Sequence, residues 1–458
     1  MNATSTRNVK IEAAATGVVG HVGLHALGVY ADRIGLGAAL SGQIAGPAGE
    51  RSWGHDRGKV LVHAMLTLAG GGDAITDVEY LRAQPGLFGS VPSDTTVGRT
   101  FREQLDPATI RRLWEAMAAV RSDVWARAGL TASDEPVVVD LDASLVEIHS
   151  ENKQETGPTY KGGFGFHPFF AFVDGTGECV AAMLRPGNAG ANSIADHVTV
   201  IDHAIGQLPA RVRAGHADGD DERLVERTVV ARADGAGCTH GFVDACRARN
   251  VGFAVAARRN DSIHRAIHHV RFDESRWHPA LRQAGDERTD AHVCEITDLV
   301  DLTAWPTGTR LIVRREPLHP GAQQSLFPSD AYRYWGHYTD QHGTPVELDV
   351  FMRAHAHVEE HIQRLKDSGL ERFPFTTADA NRARLAIVAF AADLVRWFQT
   401  EALDGPLAIA RPKTLRWQLW HTPGRIVRRA RRHIVRINTD WPSADVLTRA
   451  YTLINQLN

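Results

Sequence analysis

Residues 137–144 read VVVDLDAS, an apolar run that acquires two carboxylates, Asp140 and Asp142, before it ends. Alternate side chains of an extended strand point to opposite faces. Val137, Val139, Leu141, Ala143 and Leu145 therefore share one face, and Val138, Asp140, Asp142 and Ser144 the other. Taking an ionised carboxylate out of water is costly unless it is paired, hydrogen-bonded or coordinated to a metal. The pattern thus calls for a sheet whose acidic edge meets positive charge. One aspartate capping a turn and one left in water would satisfy it as well.

Composition narrows the class. The chain has 458 residues, 43% hydrophobic and 23% charged, enough for two or three globular domains. A net charge of −3 excludes a uniformly basic nucleic-acid coat, so any nucleic-acid contact must come from local patches. No run approaches the roughly 20 apolar residues of a membrane span, and the start, MNATSTRNVKIEAAATG, lacks a signal-peptide core. A cytoplasmic, nucleoid-associated protein without a membrane partner is expected. Cys179, Cys238, Cys246 and Cys294 form no CxxC pair and the histidines no HExxH, which argues against zinc and against a disulfide framework.

Residues from about 18 to 130 carry helical periodicity, as in KVLVHAMLTLAG and ATIRRLWEAMAAV. Within them VPSDTTVGRTFREQL has helix-start signals at Pro92 and Ser93 or Asp94, and Arg99 and Arg102 project from the helix that follows. This fits the second helix of a DNA-binding pair, and equally a hairpin in a packed bundle. Three strand segments come next, PVVVDLDASLVEI, FGFHPFFAFVD and ECVAAMLRPG; then a helix near 192–207, the strand RTVVARAD, a helix near 239–249 and the strand VGFAVAAR. That order indicates a mixed-sheet α/β domain. Residues 258–346 hold the strand candidates VCEITDLV, TRLIVRRE and YRYWGHYTD together with Trp277, Trp305 and Trp335, and read as a β-rich insertion. Helices are expected over 347–367 and 379–401, and 411–436 is rich in arginine with no acidic residue. The predicted division is a helical domain at 1–130, a core at 131–257 and 347–405 around the insertion, and a basic region at 406–458.

RTVVARADGAGC repeats the logic of the first strand: Asp234 ends it and Gly235 and Gly237 turn the chain, at the strand end where open α/β sheets place their sites. Asp-Gly is also ordinary turn chemistry. In FMRAHAHVEEHIQRLK, Val358, Ile362 and Leu365 mark a buried helical stripe, bordered by Met352, His355, Glu359 and Lys366. A solvated helix face fits these charges equally. Taken together, two strand aspartates and a helix glutamate can hold two divalent cations roughly 3.5–4 Å apart. Such a pair activates a water or a 3′ hydroxyl for in-line attack on a phosphodiester. Oxygen ligands favour two Mg2+ ions, with Mn2+ the substitute.

LDASLVEIHSENKQ, HPFFAFVDGTGECVAAMLRPGN, ARADGAGC and HVEEHIQRLKDSGLERFPF, with GGDAITDVEYLR and PSDTTVGRTF before them, resemble in order and separation the DDE transposases of bacterial insertion sequences, specifically the insertion-sequence 1380 family. The resemblance runs from about residue 20 to the C-terminus. It implies an RNase H-like core with a β-rich insertion between the second aspartate and the glutamate, an N-terminal helical DNA-binding region, and magnesium-dependent cleavage and strand transfer at terminal inverted repeats. Its DxT-like motif falls on DAS, which makes Asp142, Asp234 and Glu359 the catalytic metal ligands and Asp140 a supporting carboxylate. Of the tyrosine, arginine, glutamate and lysine that related transposases space along one helix, Glu359 and Lys366 are present. Met352 and His355 stand where tyrosine and arginine are expected, with Arg353 the substitute DNA contact. Two further expectations concern DNA. The tail, through Arg425, Arg428, Arg429, Arg431 and Arg432, contacts phosphates. Trp277, Trp305 and Trp335 are base-stacking candidates, Trp335 having the most core-like surroundings. The partners are duplex inverted-repeat ends and target DNA, held by a homodimer. A nuclease without strand transfer and an inactive DNA-binding relic are the alternatives; a glycosidase would need an aromatic sugar cleft that the sequence does not display.

Overall fold

The structure is a computed structural model that describes residues 12–13, 15–44, 54–318, 332–430 and 432–457. A short strand, β1 (Val18–Val19), leads into helices that include Val22–Arg33, Arg57–Ala69, Asp94–Glu103 and Pro107–Arg127. Each of the last three starts on an aspartate or serine whose side chain accepts an N–H of the first turn. Ser93 is that cap for Asp94–Glu103.

The strand-rich segments fold as β2 (Val137–Ala143), β3 (Val146–Ile148), β4 (Gly157–Pro158), β5 (Phe164–Phe166), β6 (Phe169–Val173) and β7 (Cys179–Met183). Two of the expected strands are thus each divided. Pro168, which has no N–H to give a ladder, separates β5 from β6, and β3, β5 and β4 form a small sheet of their own. After helix Ile194–Gln207 come β8 (Val229–Ala233), helix His240–Ala248 and β9 (Gly252–Ala256). The 258–346 segment supplies β10 (His278–Leu281), β11 (Glu287–Glu295), β12 (Arg310–Pro317) and β13 (Tyr332–Thr339).

These strands make one nine-stranded sheet in the order β10-β11-β12-β13-β9-β8-β2-β6-β7. β2 runs parallel to β8 and β8 to β9, whereas β6, β7 and the four later strands are antiparallel to their neighbours. The inserted strands therefore extend the core sheet, with β13 bonded directly to β9. Val137, Val139 and Leu141 belong to the hydrophobic cluster shared with helices Ile194–Gln207 and His240–Ala248. Phe170 and Phe172, register partners of Asp142 and Asp140, lie in the cluster of helices His357–Asp367 and Ala378–Ala402. The acidic side of β2 thus faces the helix that carries Glu359. That same cluster takes in the N-terminal helices, so Ala378–Ala402 is packed from several sides.

One expectation changes. The helix predicted over 347–367 is two helices, Pro345–Arg353 and His357–Asp367, joined by a 3₁₀ turn at Ala354–Ala356. Three residues at about 120° each, instead of about 100°, turn the second helix by roughly 60° relative to the first. Under that rotation Met352, His355, Glu359 and Lys366 still fall within about 60° of one another around the helix axis. Within the basic tail, β14 (Gly424–Arg429) and β15 (Arg432–Ile437) pair as a hairpin and form a three-stranded sheet in the order β1-β14-β15. Arg431 lies outside the described residues. Among those described, no helix is long and apolar enough to cross a membrane.

Candidate active site

Asp142 stands near the end of β2, half-buried, its Oδ1 accepting the Ala143 N–H at 2.7 Å. Asp234 follows the last residue of β8, exposed, with Oδ1 accepting the Ala236 N–H at 2.8 Å. It therefore performs the turn chemistry that Asp-Gly suggests while staying exposed. Arg258 braces the same turn, donating through Nε to the Gly235 carbonyl at 2.5 Å. Glu359 lies on the exposed side of the first turn of His357–Asp367, opposite the buried Val358 and Ile362. Asp142, Glu359 and Lys366 line one groove of ≈ 590 Å³.

Electrostatics tie the three acids together. Burial pushes the Asp142 carboxyl up to about 6, and the nearby charges of Asp234 and Glu359 push in the same direction. A carboxyl raised by burial and by acidic neighbours marks a site short of positive charge. Their all-oxygen donor set suits a hard divalent cation. Among the described residues no three such side chains converge tightly enough to hold an ion as they stand.

Asp140 has a different fate, and its expected support of a metal is corrected. It is fully buried, and Arg232 donates through Nε and Nη2 to its two oxygens, both at 2.7 Å, while His355 Nδ1 meets Oδ1 at 2.7 Å. Burial opposes its ionisation, but Arg232 and His355 outweigh that and hold the carboxyl below its usual range. Asp140 does not line the groove, and side chains rather than metal neutralise this part of the acidic strand. Arg232 also donates to the Phe351 carbonyl at 2.6 Å and pairs with Asp174 at 2.9 Å, and Asp174 meets His357 Nδ1 at 2.9 Å. Arg232 and Asp140 are register partners on adjacent parallel strands, each two residues before an acid of the site. One guanidinium thus joins both acid-bearing strands to the junction that leads into the Glu359 helix. Arg232 and Asp174 escaped the sequence reading. The available signal was Arg232 itself, a charge interrupting RTVVARAD two residues before Asp234.

A family model, the transposase DDE domain of group 1, matches residues 1–458. The chain belongs to this transposase family. No curated relative matches it. Among solved structures it is similar to the piggyBac transposase in a synaptic complex with hairpin DNA, at 10% identity and a TM-score of 0.40, over 87% of this chain and 80% of that one. At that distance the likeness bears on neither mechanism nor site.

The other expected site residues of this transposase-family chain divide into three groups. Lys366 lines the groove with Glu359. Arg353 is engaged elsewhere: it donates to Asp349 at 2.8 Å and to the Leu281 carbonyl, so its expected role as a DNA contact is corrected to a brace between its helix and β10. Arg99 and Arg102 are exposed on Asp94–Glu103, whose Val97 and Phe101 are buried. Glu360 pairs with Arg411 at 2.9 Å and stands 3.8 Å from Arg364, so the base of the tail is bound to the Glu359 helix.

Among the tryptophans, Trp335 departs from its core-like expectation. Trp277 is buried, with Nε1 donating to the Val270 carbonyl at 3.0 Å and Arg315 over its ring, which removes it as a stacking platform. Trp305 stacks on Tyr338 at 4.0 Å within the core cluster. Trp335, expected to resemble core, is 52% exposed. Arg425, Arg428, Arg429 and Arg432 are all exposed on the hairpin.

Proposed function

We propose that the chain is an insertion-sequence transposase of the 1380 type that binds duplex terminal inverted repeats and cuts and rejoins DNA through an RNase H-like core. The observation that carries this is that Asp142 and Glu359 line one groove while Asp234 ends the parallel strand beside Asp142, with burial and then the charges of Asp234 and Glu359 pushing the Asp142 carboxyl up to about 6. In this reading the three acids hold two magnesium ions. Bound there, magnesium lowers the barrier to attack by a water or a 3′ hydroxyl and neutralises charge on the leaving oxygen.

The chain's own residues do the rest. Asp142 and Asp234 hold their oxygens at adjacent strand ends, each oriented by a backbone N–H. Arg232, Asp140 and His355 keep those strands in register with the Glu359 helix, and Lys366 offers an ammonium to a DNA phosphate beside the acids. The protein acts in the cytoplasm on nucleoid DNA, as a homodimer that brings two ends together.

The test uses a plasmid carrying the reading frame's own flanking DNA. Glu359→Gln is expected to abolish magnesium-dependent cleavage while the fold and DNA binding persist, and Glu360→Gln to leave cleavage in place. A Glu359→Gln protein that still cuts would remove the assignment. Cleavage without joined products would leave a nuclease, and an inert wild-type chain that binds the flanks would leave the relic.

A further inference from the structure

The hairpin has two unlike faces, and the register shows which residues share each. In antiparallel strands directly opposed residues point to the same side. Gly424 opposes Ile437, Arg425 opposes Arg436, Ile426 opposes Val435, Val427 opposes Ile434, Arg428 opposes His433, and Arg429 opposes Arg432. One face therefore carries Ile426, Val435 and Ile437, which pack against the main hydrophobic cluster, with Arg428 and His433 beyond them. The other face carries two arginine pairs, Arg425 with Arg436 and Arg429 with Arg432, separated by Val427 and Ile434.

All four of these arginines are exposed, Ile434 is 39% exposed, and Val18, opposite Arg425 on β1, is 60% exposed. Among the described residues, none of their four side chains makes a hydrogen bond or ion pair. Like charges set directly across a ladder disfavour the free hairpin. Protecting a sheet edge explains Arg432 and Arg436 on the outer strand β15, but not Arg425 on β14, which is paired on both sides. The arrangement is complementary to a polyanion. Four residues at about 3.4 Å place the two pairs ~14 Å apart, close to the major groove's width of about 12 Å, a groove that admits a two-stranded ribbon.

We propose that this face of the β14–β15 ribbon docks on duplex DNA, with Arg425 and Arg436 on the phosphates of one groove wall and Arg429 and Arg432 on the other. Val427 and Ile434 lie between the pairs, against the apolar edges of the groove. Arg428 belongs to the opposite face and takes no part. This rests on the DNA-processing reading above and adds to it a surface and an orientation.

The test is fluorescence anisotropy of the full chain with a labelled duplex of arbitrary sequence in magnesium-free buffer, titrated between about 50 and about 200 mM salt. The variant Arg425→Gln/Arg429→Gln/Arg432→Gln/Arg436→Gln is expected to lower the slope of log affinity against log salt by about 3.6, or about 0.9 per lost phosphate contact. Arg428→Gln is expected to leave the slope unchanged. Replacing the same four arginines with lysine is expected to preserve it, which separates lost charge from lost fold. An unaltered slope in the glutamine variant, or a fall of equal size per residue with Arg428→Gln, overturns the face assignment. If the wild-type chain binds no duplex at all, the DNA-processing reading fails instead. If wild type binds duplex and the glutamine variant loses only binding to a second copy of the chain, the ribbon is a protein interface and the proposal is overturned.

Discussion

Arg232 and Arg121 are each almost wholly buried and each meets two carboxylates, whereas Arg425, Arg429, Arg432 and Arg436 are exposed and face one another. Arg121 donates to Glu178 at 3.0 Å and Asp393 at 2.7 Å, and Glu178 also accepts from Trp125 and Trp397. That joins helix Pro107–Arg127 to the residue before β7 and to Ala378–Ala402. Arg232 does the same for the two acid strands. In the interior the guanidinium is a strut whose fork is satisfied within the chain. On the ribbon it is left with its binding capacity unspent. The difference separates residues that shape the site from residues available to a partner, although the sequence writes both with the same letter.

The largest test of that contrast is to cut a strut. Arg232→Met leaves Asp140 buried with only His355 beside it, and is expected to cost about 3–5 kcal/mol in urea unfolding. Arg232→Met/Asp140→Leu should recover part of that loss, because it leaves no unpaired carboxylate at position 140 and Asp174 keeps His357, although His355 and the Phe351 carbonyl lose their partners. The double variant should fold and yet cut DNA poorly, since β2, β8 and the Glu359 helix lose the bond that sets their register. Full activity in a folded double variant would reduce the network to a stabilising device.

A histidine provides the next test, from the opposite direction. His337 is buried on β13, at the seam between the inserted strands and β9, and its Nε2 has no hydrogen-bond partner among the described residues. Burial lowers it from 6.5 to about 4, opposed by Asp349 and assisted by Arg314 and Arg310. Its folded value lies below its unfolded one, so the unfolded chain takes up the proton first as pH falls. Stability is therefore intact above about 6.5 and is lost between there and about 4, by about 3 kcal/mol from this residue. His337→Gln should flatten that part of the stability profile. An unchanged slope would mean that water reaches the seam.

The alternation in VVVDLDAS was sufficient to put Asp140 and Asp142 on one face of a strand, and RTVVARAD to put Asp234 at a strand's end, because strand periodicity is local. Asp140's partner was not legible, since the Arg232 contact depends on β2 and β8 being neighbours, a fact of topology. The break at Ala354–Ala356 has no local signal at all: alanine favours helix, and the tight turn coincides with His355 reaching Asp140. The hairpin did leave a trace in GRIVRRARRHIVRI. Ile426, Val427, Ile434, Val435 and Ile437 are β-branched, a strand preference that the concentration of arginine obscured. Trp335 was misjudged because aromatic neighbours in sequence alternate across a strand and need not share its buried side.

The smallest expected effect is also the one that most sharply separates strut from contact. Removing a buried arginine destabilises the chain, but removing a ribbon arginine should do the reverse. Arg429 and Arg432 are directly opposed at the hairpin's end, next to Ala430 with its left-handed φ of 48°. Two guanidinium groups held side by side without a carboxylate repel, and the close pairing of the ladder leaves them limited room to separate. Arg429→Gln/Arg432→Gln is therefore expected to raise thermal stability by about 0.2–1 kcal/mol at low salt, an advantage that shrinks as salt screens the pair. The same substitution should weaken duplex binding, so stability and affinity would move in opposite directions. If it instead destabilises the chain at every salt concentration, the pair is doing structural work within the hairpin, and the distinction between the two arginine populations loses its basis.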